Sequence, residues 1–258
     1  MAEALILERL SAAVRGTSLV RQVDATFAPG RLTAIVGPNG AGKSSLLRAI
    51  AGILPASGAV RLGNEMLGAL TPVVRARRLA YLPQSHELAW DINVADMVAL
   101  GRFAYGAVPG RLAVEDAEAV AAAMAETGCD RWADRRVTSL SGGEQALACL
   151  SRVLAADTPV LLVDEPVAAL DPANQYRVME CLAARARAGR IVVSVLHDLS
   201  LVAQFADEIL WMEKGRAVAA TDAGAEALAR HVPALFERSP TLAADGSKAL
   251  YFRRAAKS

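Results

Sequence analysis

The 258-residue sequence predicts an α/β protein, a mainly parallel sheet with helices on both faces, interrupted by a helical block. Three observations point there. Residues 32–36, 160–163 and 191–196 are short and continuously apolar, the pattern of strands buried on both faces. Segments of helical composition alternate with the later strands, as parallel crossovers require. Between them, residues 93–156 lose the strand pattern, and within that block residues 117–126 are rich in alanine and glutamate, good helix formers.

Each element follows from local signals. Residues 5–10 and 19–27 carry apolar residues in short runs and read as strands, and Pro29-Gly30 marks a turn before the strand at 32–36. Residues 44–51 form a helix with Leu46, Leu47 and Ile50 on one face, stopped by Gly52. Short strands follow at 60–62 and 79–82. In the middle block, residues 117–126 are a helix, and Pro109-Gly110 and Thr127-Gly128 divide the stretch. The last third runs strand 160–163, helix 173–188, strand 191–196 and helix 199–205, then a hairpin of 208–213 and 216–220 around Lys214-Gly215. Beyond about residue 221 a loose helix and a short terminal strand are expected. No internal repeat and no low-complexity linker stands out.

Composition excludes several classes. Hydrophobic residues make up 53% of the chain and the mean hydropathy is +0.29, which excludes a disordered chain. With 28 basic and 27 acidic residues there is no electrostatic case for nucleic acid as a partner. Charges interrupt every apolar run well short of the roughly 18–20 residues a membrane span needs. Residues 1–10 contain Glu3, Glu8 and Arg9 and lack the architecture of a secretory signal, so the protein is expected in the cytosol. Cys129, Cys149 and Cys181 are odd in number and far apart, arguing against disulfides and zinc and for reduced thiols filling core gaps.

Gly37-Pro38-Asn39-Gly40-Ala41-Gly42-Lys43-Ser44 fits Gly-x-x-x-x-Gly-Lys-Ser/Thr, between an apolar strand and a helix. Glycines there let successive backbone N–H groups point at one phosphate, and the helix dipole adds to the attraction. Lys43 is placed for the β and γ phosphates of a nucleoside triphosphate, and Ser44 for Mg²⁺, which prefers oxygen ligands. Residues 160–163 then drive Asp164 and Glu165 to the carboxyl edge of the sheet, where ligands bind in open α/β folds. Asp164 is positioned for the Mg²⁺ shell and Glu165 to orient or deprotonate a water. His197, after another buried-type strand, is a candidate γ-phosphate sensor. Leu140-Ser141-Gly142-Gly143-Glu144-Gln145 opens a further helix with Ser141 as N-cap and Glu144 at capping-box spacing, a second phosphate-type helix end in one chain. One nucleotide cannot use both loops of one subunit unless the helical block folds back.

Taken together, residues 37–44, Gln84, 140–145, Asp164-Glu165, Ala169-Leu170-Asp171 and His197, in this order and spacing, resemble the nucleotide-binding subunit of an ATP-binding cassette (ABC) transporter. The likeness covers about residues 5–220. It implies a P-loop NTPase (RecA-like) core with an antiparallel β subdomain and an inserted helical subdomain, as a single ATPase domain over 1–258. Core and β subdomain would occupy about 1–86 and 157–220, the helical subdomain 87–156 and a C-terminal tail 221–258. It also implies ATP and Mg²⁺ as ligands, the metal held by Ser44, Asp164 and Gln84, partly through water. In the family two cassettes pair head to tail, and each ATP lies between one subunit's phosphate loop, including Ser45, and the other's Ser141, Gly142, Gly143 and Glu144. Gln84 would link the Mg²⁺ site to the membrane partner, Asp171 would order the dimer interface, and Glu165 and His197 would act on water and γ-phosphate.

Residues 79–85, 94–103 and 197–207 are similar to the cassettes of bacterial importers for iron-siderophores, haem and cobalamin. That class implies a homodimer on transmembrane permease subunits, served indirectly by a periplasmic binding protein and lying peripherally on the cytoplasmic face of the inner membrane. Residues 84–103 are then the expected permease-docking surface, with Arg102 as its probe. The sequence departs from the family at four places. Val14, beside Arg15, stands where an aromatic commonly stacks on adenine, so weak discrimination between ATP and GTP is expected. Ala146-Leu147 replaces a common Gln-Arg pair; Ser45 and Val167 replace threonines. Two other functions compete: a soluble cassette ATPase acting on DNA or ribosomes, for which coiled-coil insertions or a second cassette are missing, and a phosphotransferase kinase, which leaves residues 140–145 unexplained.

Overall fold

The computed structural model describes residues 3–84, 91–168, 170–236, 238–242 and 250–254. In chain order it runs β1 (Leu5–Val14), β2 (Thr17–Phe27), β3 (Leu32–Val36), α1 (Lys43–Ile50), β4 (Ala56–Leu62), β5 (Glu65–Met66), α2 (Pro72–Ala76) and β6 (Leu79–Leu82). Helices α3 (Val94–Ala99), α4 (Val114–Thr127) and α5 (Gly142–Ala155) follow, joined by short 3-10 turns. Then come β7 (Val160–Asp164), α6 (Pro172–Arg187), β8 (Ile191–Val195), α7 (Leu199–Phe205), β9 (Glu208–Glu213), β10 (Arg216–Asp222), α8 (Ala225–Phe236), β11 (Arg238–Leu242) and β12 (Leu250–Arg254).

Two sheets carry the architecture. One has the order β10-β9-β3-β8-β7-β6, parallel throughout except at β10. Every residue of β3, β7 and β8 is buried, which is why their sequences are apolar without alternation. The second sheet is antiparallel with the order β2-β1-β4-β5. Helix α1 lies between the sheets: Leu46, Leu47 and Ile50 share a core with Leu7, Val20 and Phe27 of the antiparallel sheet and Leu162 and Val193 of the parallel one. Burying a leucine completely contributes about 1.5–3 kcal/mol, so α1 and the loop before it are held from both sides. The opposite face of the parallel sheet packs on α5, α6 and α7, and α3 and α4 extend that core.

Several elements exceed their sequence-based limits. β1 continues to Val14 because Ala12, Ala13 and Val14 pair with Val20, Ser18 and Thr17, pairing that overrides their weak strand signal. α2 was invisible in the hydrophobic pattern because none of its five residues is buried; Thr71 caps it and Pro72 starts it. Beyond residue 220, Leu228 and Val232 bury α8 against the core, and His231 stacks on Trp211 with ring centroids 5.0 Å apart.

Arg102 does not serve as a surface probe. Its side chain is only 11% exposed; Nε donates to Asp116 Oδ1 at 2.8 Å and the guanidinium lies 3.7 Å from the Tyr105 ring centroid. Reversing its charge would break this inward ion pair, whereas the adjoining Phe103 is 73% exposed. Residues 85–90 of the expected docking stretch lie outside the described residues. Cys129 and Cys149 are fully buried, and Cys181 is half-buried with its thiol, pushed up to about 11 by burial, donating to the Glu126 carbonyl. No described helix is long and apolar enough to cross a membrane.

Candidate active site

The parallel strands β3, β8, β7 and β6 end at one edge of the sheet, and their carboxyl ends deliver the candidate residues there. β3 leads into residues 37–42 and α1, β8 is followed by His197, β7 ends in Asp164 with Glu165 next, and Gln84 follows β6. β8 pairs directly with β3, so His197 stands beside the strand that feeds the loop. A cavity of about 700 Å³ opens at this edge, lined by Asn39, Gly40, Ala41, Gly42, Lys43, Ser44 and Ser45 together with Gln84, Glu165 and His197.

The loop is shaped by backbone contacts. A Cβ on Gly37 would lie 2.1 Å from the Met212 carbonyl oxygen of β9, and one on Gly42, at φ +94°, 2.3 Å from that of Leu19 in β2. Only glycine permits both approaches. The turn between β9 and β10 locks the loop in place: Gly215 N–H donates to Ala41 O at 2.9 Å, and Arg21 N–H donates to Gly215 O at 2.7 Å. Gly37 and Pro38 do not line the cavity. Their carbonyls accept from Lys43 Nζ at 2.8 and 3.0 Å, fixing the buried ammonium at the cavity floor. Burial lowers the Lys43 pKa, and the Glu165 and Asp164 carboxylates oppose that shift.

Asp164 is wholly buried behind Ser44, whose hydroxyl donates to its Oδ1 at 2.9 Å, while Tyr81 OH donates to Oδ2 at 3.3 Å. Burial raises the carboxyl pKa, and those two donors counter it. Glu165 bridges its neighbours: Gln84 Nε2 donates to Oε2 at 2.8 Å and His197 Nε2 lies 2.7 Å from Oε1. Its backbone is left-handed at φ +51°, a conformation costing a non-glycine residue about 1 kcal/mol. Glu165 N–H nevertheless donates to Val195 O at 3.2 Å, so the sheet ladder overdetermines the bend and aims the side chain into the cavity.

Ser141, Gly142, Gly143, Glu144 and Asp171 line no part of this cavity. Ser141 caps α5 in a capping box, its N–H donating to Glu144 Oε2 at 2.8 Å and its Oγ accepting from Glu144 N–H at 3.4 Å. That backbone donor lowers the Glu144 pKa. Asp171 caps α6 and accepts from Asn174 N–H and Nδ2, which holds its carboxyl low. Sequence reasoning missed Leu19, Gln175 and Tyr81. The first two line the cavity, whereas Val14 is not among its lining residues and stands 42% exposed at the β1–β2 hairpin tip. Tyr81 is legible only once β6 is known to pair with β7.

A family model described as ABC transporter matches residues 20–168. The chain belongs to that family. As an ABC cassette it binds and hydrolyses ATP, and its fold is the P-loop NTPase fold of the family, with the RecA-like parallel sheet and the antiparallel sheet described above. Over 219 residues the cassette is 44% identical to a hemin import ATP-binding protein of Nocardia farcinica, covering 84% of this chain and 75% of that one. It is 40% identical over 218 residues to a cobalamin import ATP-binding protein of Halobacterium salinarum, covering 84% of this chain and 54% of that one. Among solved structures, an ATP-binding cassette of an ABC transporter superposes with a TM-score of 0.80 at 22% identity, over 92% of this chain and 98% of that one, a likeness of fold.

Proposed function

We propose that this cassette is the ATP-hydrolysing subunit of an importer for haem, cobalamin or an iron-siderophore, working as a head-to-tail homodimer on transmembrane permease subunits at the cytoplasmic face of the inner membrane. A periplasmic binding protein would deliver the cargo. The hemin and cobalamin import relatives support the cargo class. The observation that carries the dimer is the position of the Ser141 helix end: it is capped and exposed, yet stands outside the cavity formed by residues 39–45. A second copy, offering its Ser141 end to this cavity, would give each ATP a donor set on both sides.

In that arrangement the N–H groups of residues 39–44 and the Lys43 ammonium hold the phosphates. Glu165, fixed by Gln84 and His197, orients the attacking water and accepts its proton, and His197 faces the γ-phosphate. The donors at this edge also fit Mg²⁺: Ser44 Oγ, Asp164 and the Gln84 side-chain oxygen are hard oxygen ligands, and Ser44 and Asp164 are already hydrogen-bonded to each other. When bound, the ion would neutralise charge on the phosphates.

Replacing Glu165 with Gln tests the reading. ATP binding is expected to survive, turnover to fall about 10²–10⁴-fold as for loss of a general base, and an ATP-dependent dimer to accumulate in sedimentation experiments. Full activity in a protein that stays monomeric would refute it. Copurification with a permease, followed by stimulation of ATP hydrolysis by binding protein loaded with haem, cobalamin or a siderophore, identifies the cargo.

A further inference from the structure

Two loops, one away from the phosphate cavity and one whose Val167 and Gln175 line it, are built to one plan that sequence inspection passes over. Residues 137–145 and 167–175 share the spacing Val-x-x-Leu-Ser/Asp-x-x-x-Gln: Val137, Leu140, Ser141 and Gln145 in one, Val167, Leu170, Asp171 and Gln175 in the other. In each, the leucine N–H donates to the valine carbonyl, at 3.3 Å before α5 and 3.2 Å before α6, and both apolar side chains are buried. The next residue caps the helix. The glutamine amide then reaches back across the turn. Gln145 Nε2 donates to Val137 O at 3.2 Å and Leu140 O at 3.1 Å, and Gln175 Nε2 donates to Val167 O and Leu170 O, each at 3.2 Å.

Each valine carbonyl already accepts the turn bond from the leucine N–H, whereas among the described residues each leucine carbonyl accepts from the glutamine amide alone, which thereby ties the turn to its helix. The caps themselves are opposite in character. Ser141 is neutral and precedes two glycines, whereas Asp171 is anionic and precedes Pro172. One clamp therefore serves two different chemistries, and what the loops share is presentation of an exposed cap residue at a set position.

We propose that Gln145 and Gln175 are matched positioning residues that hold the Ser141 and Asp171 loops in the form the second cassette meets. The inference rests on the head-to-tail dimer proposed above. Without the clamp, each loop would have to be ordered at the moment of closure, and that ordering weakens association.

Methionine keeps the reach of glutamine and removes its donors. Gln145→Met and Gln175→Met, each combined with Glu165→Gln, are expected to weaken the ATP-dependent dimer about tenfold, the effect of losing roughly one to two hydrogen bonds. Amide exchange should quicken at Leu140 and Glu144 in the first variant and at Leu170 and Asn174 in the second, while the rest of α5 and α6 keeps its protection. Binding of a fluorescent ATP analogue to single chains should be unchanged in Gln145→Met, and the melting temperature should move by no more than about 4 °C in either variant. Unaltered dimer affinity, or unaltered exchange at those four amides, overturns the inference. If Glu165→Gln alone fails to dimerise, the shared-site reading falls, and the exchange measurement still decides whether the glutamines order the loops.

Discussion

The phosphate loop and the Ser141 helix end are both glycine-bearing helix N-termini, and their glycines answer to different neighbours. Gly37 and Gly42 are compressed against the Met212 and Leu19 carbonyls of their own chain. Gly142, the first residue of α5, has nothing within 4 Å of a would-be Cβ and needs no left-handed backbone. The fold demands the first pair, while nothing among the described residues demands the last. The head-to-tail pairing proposed above would account for Gly142, because the Ser141 helix end would then form the second half of the phosphate site.

The largest expected effect comes from Gly37→Ala. Its methyl would collide with a strand carbonyl, destabilise the protein by about 1–3 kcal/mol and disable single-chain ATP binding; thermal unfolding and nucleotide titration measure both. Gly142→Ala should do the reverse. Stability is expected to stay within about 0.5 kcal/mol of the parent and single-chain ATP binding to persist, while turnover falls about tenfold, the effect of roughly 1.4 kcal/mol on the barrier. A stability loss in Gly142→Ala as large as that in Gly37→Ala would erase the contrast. The smallest effect concerns the base: with Leu19 rather than an aromatic ring at the cavity wall, stacking worth about 1 kcal/mol is missing. ATP and GTP are therefore expected to bind with nearly equal affinity in competition titrations, and a sharp adenine preference would show that another group reads the base.

Much of the phosphate site was legible because its chemistry is contiguous. Strand, glycine loop, lysine and serine follow one another, and α1 falls at Lys43–Ile50 against the expected 44–51. The Ser141 capping box was equally readable, since residues three apart on a helix start must meet. Tyr81 was not, because its phenol meets Asp164 through the pairing of β6 with β7 across 83 residues of sequence. The backing of the loop by Leu19 and Gly215 was hidden for another reason: both act through main-chain atoms, which leave no mark on side-chain pattern. The paired glutamine turns escaped as a repeat because the identity is confined to a few positions per nine residues and the caps differ.

The place of β6 at the end of the parallel sheet has a mechanical consequence. β7 and β8 are each hydrogen-bonded along both flanks, whereas β6 is bonded along one, to β7. The Gln84–Glu165–His197 cluster thus hangs from two doubly anchored supports and one singly anchored support. Separating Gln84 from Glu165 would therefore disturb fewer ladder hydrogen bonds than separating Glu165 from His197.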